Sequence, residues 1–317
     1  MFDLDKISAA SARLQGVALE TPVLPLASDR WQGLPKANVT LKLELFQQAG
    51  SFKARGAYLG IQALTPAERA AGVVAASGGN HALAVSWAAR AAGIAAQITM
   101  PRATDPERIR LCQAMGATVT LHDDMAAAFA EMERIAATGA TLMHPFEAQH
   151  MILGATTCGA EFLAQAPQID TLVVPVGGGG LIAGMALAFK LLRPSGQVIG
   201  VEPNGADSTT RSLLAGHPVV LDKVDTIADS LGSPKALPLS FGVAADHVDR
   251  MVQIDDNAMR EAMRDYADVL RIIAEPACAA SLAAIKGPLG DDLKGRNVGI
   301  IACGSNIGMA RYQALLS

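Results

Sequence analysis

The chain has 317 residues, half of them hydrophobic, and a formal net charge of −4. That is enough apolar material for two domains or one large core, which excludes a disordered chain. The weak acidic balance, with no basic run or basic–aromatic patch, argues against a nucleic-acid partner.

The first predicted element is a helix over about Leu4–Leu14. A loop follows through Thr21-Pro22 and Leu34-Pro35. No apolar h-region precedes it, so no signal peptide is expected. Val39–Leu43 starts β-branched and alternates, which predicts a short strand. Ser51–Leu64 reads as a helix with Ser51 as its N-cap. From Val73 a rhythm begins. Short apolar runs at Val73–Ala76, Ala96–Met100, Thr118–Leu121 and Thr141–Met143 alternate with helices at Asn80–Ala92, Pro106–Met115 and Met125–Thr138. Such alternation signals parallel βαβ units. After His144-Pro145-Phe146 the pattern continues: a helix over Ile152–Gln165, a buried strand at Thr171–Val176, a helix at Gly180–Arg193 and a strand at Val198–Glu202. Residues 203–245 are rich in Pro, Gly, Asp and Ser and predict loops and short helices. Val248–Ile254 is a strand, Asp255–Leu270 a helix capped by Asp255, and a short helix follows Glu275-Pro276. Val298–Ala302 is the last strand. The whole predicts an α/β fold with one compact α/β insertion inside a larger α/β domain.

Two exclusions follow. No residue between Asp170 and Lys190 is charged, close to a membrane-spanning length, but Pro175 and the glycines Gly177–Gly180 make it a strand–loop–helix. The four cysteines, Cys112, Cys158, Cys278 and Cys303, have no metal-ligand or redox spacing. Free thiols and no leader suggest a cytoplasmic protein without a membrane partner.

Four short stretches carry chemistry. The stretch Gln47–Ala57 sets Lys53 after a Gly50-Ser51-Phe52 turn, with uncharged residues before it and an Ala/Leu-rich helix after it. A lysine in apolar surroundings loses ammonium solvation, so its pKa falls and its amine can attack a carbonyl. Phe52 offers a flat ring beside it; a snorkelling surface lysine is the plainer alternative. Gly177, Gly178, Gly179 and Gly180 follow an apolar strand and open a helix, where backbone N–H groups and the helix dipole attract a phosphate. Gly178–Ala183 also fits a G-x-G-x-x-A dinucleotide turn, with Glu202 at the end of the next strand as a ribose acid. Ser77-Gly78-Gly79-Asn80-His81 repeats the strand–turn–helix logic and suits a carboxylate, although capping by Ser77 or Asn80 explains it equally well. Cys303-Gly304-Ser305-Asn306 follows the last strand.

Taken in order, GSFKARGA, SGGNHALA, PVGGGGLIAG and IIACGSN resemble the fold-type II pyridoxal-phosphate enzymes, specifically the serine/threonine dehydratase and serine racemase family. The likeness runs from about Ile7 to Ala310 and includes TPVLPL, LKLELFQ, VIGVEP and IIAEPACAASLAAI. It implies a tryptophan synthase β-like fold, with a small domain over 72–146 inserted in a large domain formed by 1–71 and 147–317. It implies pyridoxal 5'-phosphate held as a Schiff base on Lys53, with Phe52 against the ring and Asn80 on its phenolic oxygen. Gly177–Gly180 would hold the phosphate and Cys303 would face the pyridine nitrogen. Ser77, Gly79, Asn80 and His81 would border the substrate carboxylate. The implied reaction is dehydration and deamination of a small β-hydroxy amino acid such as threonine or serine to a keto acid and ammonia. A weak thiol donor on the ring nitrogen would favour prompt elimination over transamination. Such enzymes are often homodimers. Alternatives are a hydroxyaspartate-type or larger substrate, β-replacement as in cysteine synthases, and, more remotely, a nicotinamide oxidoreductase or a non-catalytic carrier.

The sequence departs from the family pattern at three places. Gly78 stands where racemases have a serine base, which implies weak racemisation. After VEP, Glu202 and Ala206 match a divalent-cation site but Ser208 replaces its aspartate, so no metal is expected. Gly154-Ala155-Thr156-Thr157 replaces the usual GQGT, which implies an altered substrate preference.

Overall fold

The computed structural model describes residues 2–26 and 30–317. Helix α1 (Leu4–Leu14) starts at Asp3, whose carboxylate accepts from the Lys6 N–H. Strands β1 (Val23–Leu26) and β2 (Asn38–Lys42) pair antiparallel. β1 lies where the sequence predicts a loop. Its Pro25 offers no N–H to a ladder, which an edge strand tolerates. Helix α2 (Lys53–Gln62) carries the lysine. The expectation that Ser51 caps it is wrong. Ser51 is extended, bridges to Gly304, and leaves its Oγ without a partner, while Phe52 occupies the cap position without a side-chain bond. Pairing with the Gly304 segment has overridden the local capping preference. A short helix, α3 (Pro66–Ala71), follows with a Thr65–Glu68 capping box that the prediction omits.

The next seven elements are β3 (Val73–Ala76), α4 (Asn80–Ala92), β4 (Ala96–Pro101), α5 (Pro106–Ala114), β5 (Thr118–His122), α6 (Met125–Ala136) and β6 (Thr141–Leu142). Their strands form a parallel four-stranded sheet in the order β5-β4-β3-β6. The chain then gives α7 (Gln149–Gln165), β7 (Thr171–Pro175), α8 (Gly180–Leu192), β8 (Gln197–Pro203) and α9 (Ser208–Ala215). It ends with α10 (Pro238–His247), β9 (Arg250–Ile254), α11 (Asp256–Asp265), α12 (Pro276–Lys286), β10 (Asn297–Ile301) and α13 (Met309–Leu316). These strands complete a six-stranded sheet ordered β1-β2-β10-β7-β8-β9, parallel except at β1. Every residue of β7 is buried, which is why it reads as an uninterrupted apolar run. Two parallel sheets flanked by helices make this a mixed α/β fold.

Strand order places the chemistry. β10, last in sequence, lies between β2 and β7. The segments leaving the C-terminal ends of these three neighbours are the lysine turn, Cys303 and the glycine loop. Parallel sheets bind ligands at that edge, where successive loops diverge. α2 is seated on α7 at an intimate crossing, because a Cβ on Gly154 would come 2.3 Å from the Gly56 backbone nitrogen. The Gly154–Thr157 departure therefore concerns helix packing. Thr156 and Thr157 are buried and bond back to Leu153 and Gly154 of their own helix, and none of the four lines the cavity described below. Among the described residues no helix is long and apolar enough to cross a membrane.

Candidate active site

A cavity of about 1350 Å³ opens between the two sheets. Phe52, Lys53, Ser77, Gly79, Asn80, His81, Gly177–Gly180 and Cys303 all border it, so every predicted site residue comes to one place. Lys53 starts α2, its amine 5.1 Å from the Phe52 ring centre and donating to the Pro145 carbonyl at 2.6 Å. Burial brings its pKa from the ordinary 10.5 down to about 8, partly opposed by Cys303 and Glu275. Cys303 is buried, and burial pushes its thiol well above the usual range, so it stays protonated at neutral pH.

The glycine loop precedes thirteen-residue α8, whose N-terminus has no side-chain cap. Its first-turn N–H groups are open to an anion. The loop needs glycine for two distinct reasons. Gly179 has φ +87°, and a Cβ on Gly178 would lie 2.3 Å from the Phe146 ring. A buried neutralisable amine, an uncapped helix N-terminus and a protonated thiol on adjoining strands suit an aldehyde-bearing phosphate ester with a ring nitrogen.

The second helix N-terminus, α4, is less open than the sequence suggests. Ser77 Oγ accepts from the Gly79 N–H and no side chain caps the helix. Asn80 is held at both ends. Its amide nitrogen donates to Glu275 at 2.5 Å and its oxygen accepts from Asn306 at 2.7 Å. His81 Nε2 meets the Met143 carbonyl at 2.8 Å, and burial holds its pKa well below the ordinary value. It is thus a neutral ring.

Several functional groups escaped the sequence reading. Arg108, on α5, crosses the cleft to the Asn306 carbonyl at 2.6 Å and to Glu275 at 3.3 Å. Glu275 is buried, and desolvation raises its pKa despite Arg108. Glu147 accepts from Leu239 N–H, Ser240 N–H and Ser240 Oγ, anchoring α10 beside the glycine loop. No motif marks Arg108 or Glu147, and Glu275 is read only as part of IIAEPACAASLAAI at a helix start; the contacts of all three are long-range. Behind Lys53 lies a buried charge cluster. Arg55 clasps Glu44 with two bonds of 2.9 and 2.7 Å, and Lys42 bonds Glu161 at 2.5 Å. Arg55 also reaches Glu161.

The cation-site comparison gives a different arrangement. Both Glu202 oxygens are engaged, one by Thr209 N–H and the other by Thr210 N–H and Oγ1, at 2.6–2.8 Å. The carboxylate caps α9, and buried Ser208 Oγ finds no partner. These residues do not fit a divalent ion. Glu202 is also fully buried and does not border the cavity, so it is not placed to act as a ribose acid there.

Comparison with known proteins agrees with this geometry. The family described as "Pyridoxal-phosphate dependent enzyme" matches residues 15–304. Phenylserine dehydratase of Ralstonia pickettii is 42% identical over 98% of this chain and 95% of its own. L-threonine ammonia-lyase of Thermotoga maritima is 36% identical over 97% of this chain and 76% of its own. The structure of maize serine racemase superposes with a TM-score of 0.91 at 35% identity, covering 99% of this chain and 96% of that one.

Proposed function

The chain belongs to the fold-type II pyridoxal-phosphate dependent enzymes, and from that premise we propose that it deaminates a β-hydroxy amino acid with an apolar β-substituent larger than methyl. One observation carries this reading. Met125, Ala126, Phe129, Ala130 and Glu133 lie on one face of α6 and border the cavity, joined there by Leu142. Their spacing is that of a single helical stripe, and Glu133 is its only charge. The chamber suits an aryl group. Toward a hydroxyaspartate-type substrate, α6 brings no cation to the cavity, since its Arg134 is paired with Glu131 away from it; Arg108 is paired with Glu275 and Arg311 with Asp229, which leaves Lys235 as the lining cation besides Lys53. The similarity to phenylserine dehydratase supports the same choice.

Pyridoxal phosphate, when bound, supplies an aldehyde and an electron-withdrawing ring that acidifies the substrate's Cα–H. The chain does the rest. The glycine loop and the α8 N-terminus hold the phosphate. Lys53, with its pKa near neutrality, takes the Cα proton on Nζ. Residues 77–81 receive the substrate carboxylate. The Cys303 thiol would give a ring nitrogen only a weak hydrogen bond. Gly78 has no proton-carrying side chain for the opposite face, and a Cβ there would come 2.6 Å from Thr104 Oγ1. Racemisation is accordingly poor. We further propose the 72–146 insertion as the closing domain and a homodimer in the cytoplasm.

A panel of β-hydroxy amino acids, scored for keto acid, tests the reading. kcat/KM for L-threo-phenylserine should exceed that for threonine by about 10–100-fold, the worth of filling an apolar pocket. Unreacted substrate should stay in the L form on chiral analysis. Equal or better turnover of threonine would overturn the substrate assignment.

A further inference from the structure

We infer that the His144 ring is a hydrogen-bond donor to the β-oxygen of the substrate, an inference that rests on the dehydratase reading above. His144 Nδ1 accepts from the Glu147 N–H at 2.9 Å and from the Phe146 N–H at 3.3 Å. Main-chain N–H groups can only donate, so Nδ1 must present a lone pair. In a neutral imidazole the hydrogen then sits on Nε2. The ring is neutral in the working range, because burial brings its pKa down to about 4. Among the described residues Nε2 has no hydrogen-bond partner, and it is not one of the atoms sealed in the core. The side chain borders the cavity. A donor of fixed direction therefore faces the site unused.

Position identifies what it meets. The next residue, Pro145, accepts from the Lys53 amine at 2.6 Å, so the 144–146 turn adjoins the point where Cα must sit. On its other side the His144 ring lies 6.5 Å from Phe129, a wall of the apolar chamber. It stands edge-to-face on Phe146 at 4.9 Å, and Phe146 abuts the glycine loop. A substrate with Cα at Lys53 and its β-substituent in the chamber carries Cβ past residue 144. Cleavage of the Cβ–O bond moves the electron pair onto oxygen. A preorganised N–H there stabilises that charge. The ring gives a hydrogen bond and keeps its proton; the oxygen leaves with the Cβ–O electron pair as hydroxide and is neutralised to water by the proton that Lys53 Nζ took from Cα.

Asparagine and glutamine separate the two nitrogens. His144→Asn can keep an acceptor for the two backbone N–H groups but places nothing at Nε2. His144→Gln can place an amide N–H near Nε2. On phenylserine, kcat should fall about 10²-fold in His144→Asn, the usual effect of losing such a donor, and stay within about tenfold in His144→Gln. On 3-chloroalanine, whose chloride leaves without a donor, His144→Asn should lose less than about threefold. Equal losses on both substrates, or none on phenylserine, would overturn the role of His144 while leaving the reaction intact. A wild-type enzyme that expels chloride but never hydroxide would overturn the dehydratase reading, and this inference with it.

Discussion

Lys53→Ala should abolish keto-acid formation, with kcat/KM falling at least about 10⁴-fold. In the proposed reaction one side chain would serve twice, as the amine that anchors the cofactor and as the base that takes the Cα proton. Alanine removes both. His81 is tied to Met143 and neutral, and Cys303 stays a thiol. The cavity would otherwise be intact, because α2 is held by residues further along it. Borohydride reduction of the loaded wild-type protein should tag Lys53 on peptide mapping. Amine labelling of the cofactor-free protein with trinitrobenzenesulfonate adds a pH readout. A pKa of about 8 means that reactivity of Lys53 rises through that pH, well below the 10.5 of an ordinary lysine. A tag elsewhere, or a midpoint above 10, would contradict the assignment.

Arg55→Met should lower unfolding free energy by about 3–5 kcal/mol, because it leaves a buried carboxylate without its partner. Glu44 is fully buried, and after the change only Thr21 Oγ1 still donates to it. For a chain of this size the melting temperature should drop by roughly 5–8 °C. Urea titration checks the free energy. The sign of the pH dependence is fixed by Glu44, whose pKa lies below the ordinary 4.5: burial raises it, and the Arg55 guanidinium more than reverses that. A depressed carboxyl pKa stabilises the fold above pH 4.5, and that contribution disappears as pH falls through the lower folded value. The wild-type advantage over Arg55→Met should therefore shrink below about pH 4.5. Adding Glu44→Gln to Arg55→Met should recover part of the loss, since the two residues are in contact. Arg55 lies two residues from Lys53 on the same helix, so the cluster also sets where the lysine points. A variant that folds should show weaker cofactor retention as well.

Lys53 and Gly177–Gly180 are legible because their chemistry is local: a glycine run after an apolar strand has few uses, and it opens a helix wherever it occurs. Element positions are legible for the same reason, since β7 and α8 are long, strongly patterned and bounded by breakers. β1 is missed because Pro25 reads as a loop residue until an edge position excuses it. α10 falls where the sequence predicts only loops and short helices without bounds, because PLSFGVAADH has little helical periodicity, and Glu147 rather than a local residue binds its first turn. His144 is visible in the sequence only as part of a turn. Its tautomer depends on two backbone N–H groups that fold back onto it.

By itself the sequence determines the alternating α/β architecture and singles out Lys53 as the candidate amine and Gly177–Gly180 as the candidate anion loop, because each rests on a few consecutive residues and the period of their side chains. Only the tertiary structure decides that β10 lies between β2 and β7, which sets Cys303 between the lysine and the glycines. It alone decides that one face of α6 borders the cavity, and that Arg55 and Glu44 are an internal pair. The reason is physical. Strand order, pocket shape and desolvated charge are fixed by contacts between residues distant in the chain, and no local pattern encodes which distant partner a residue will meet.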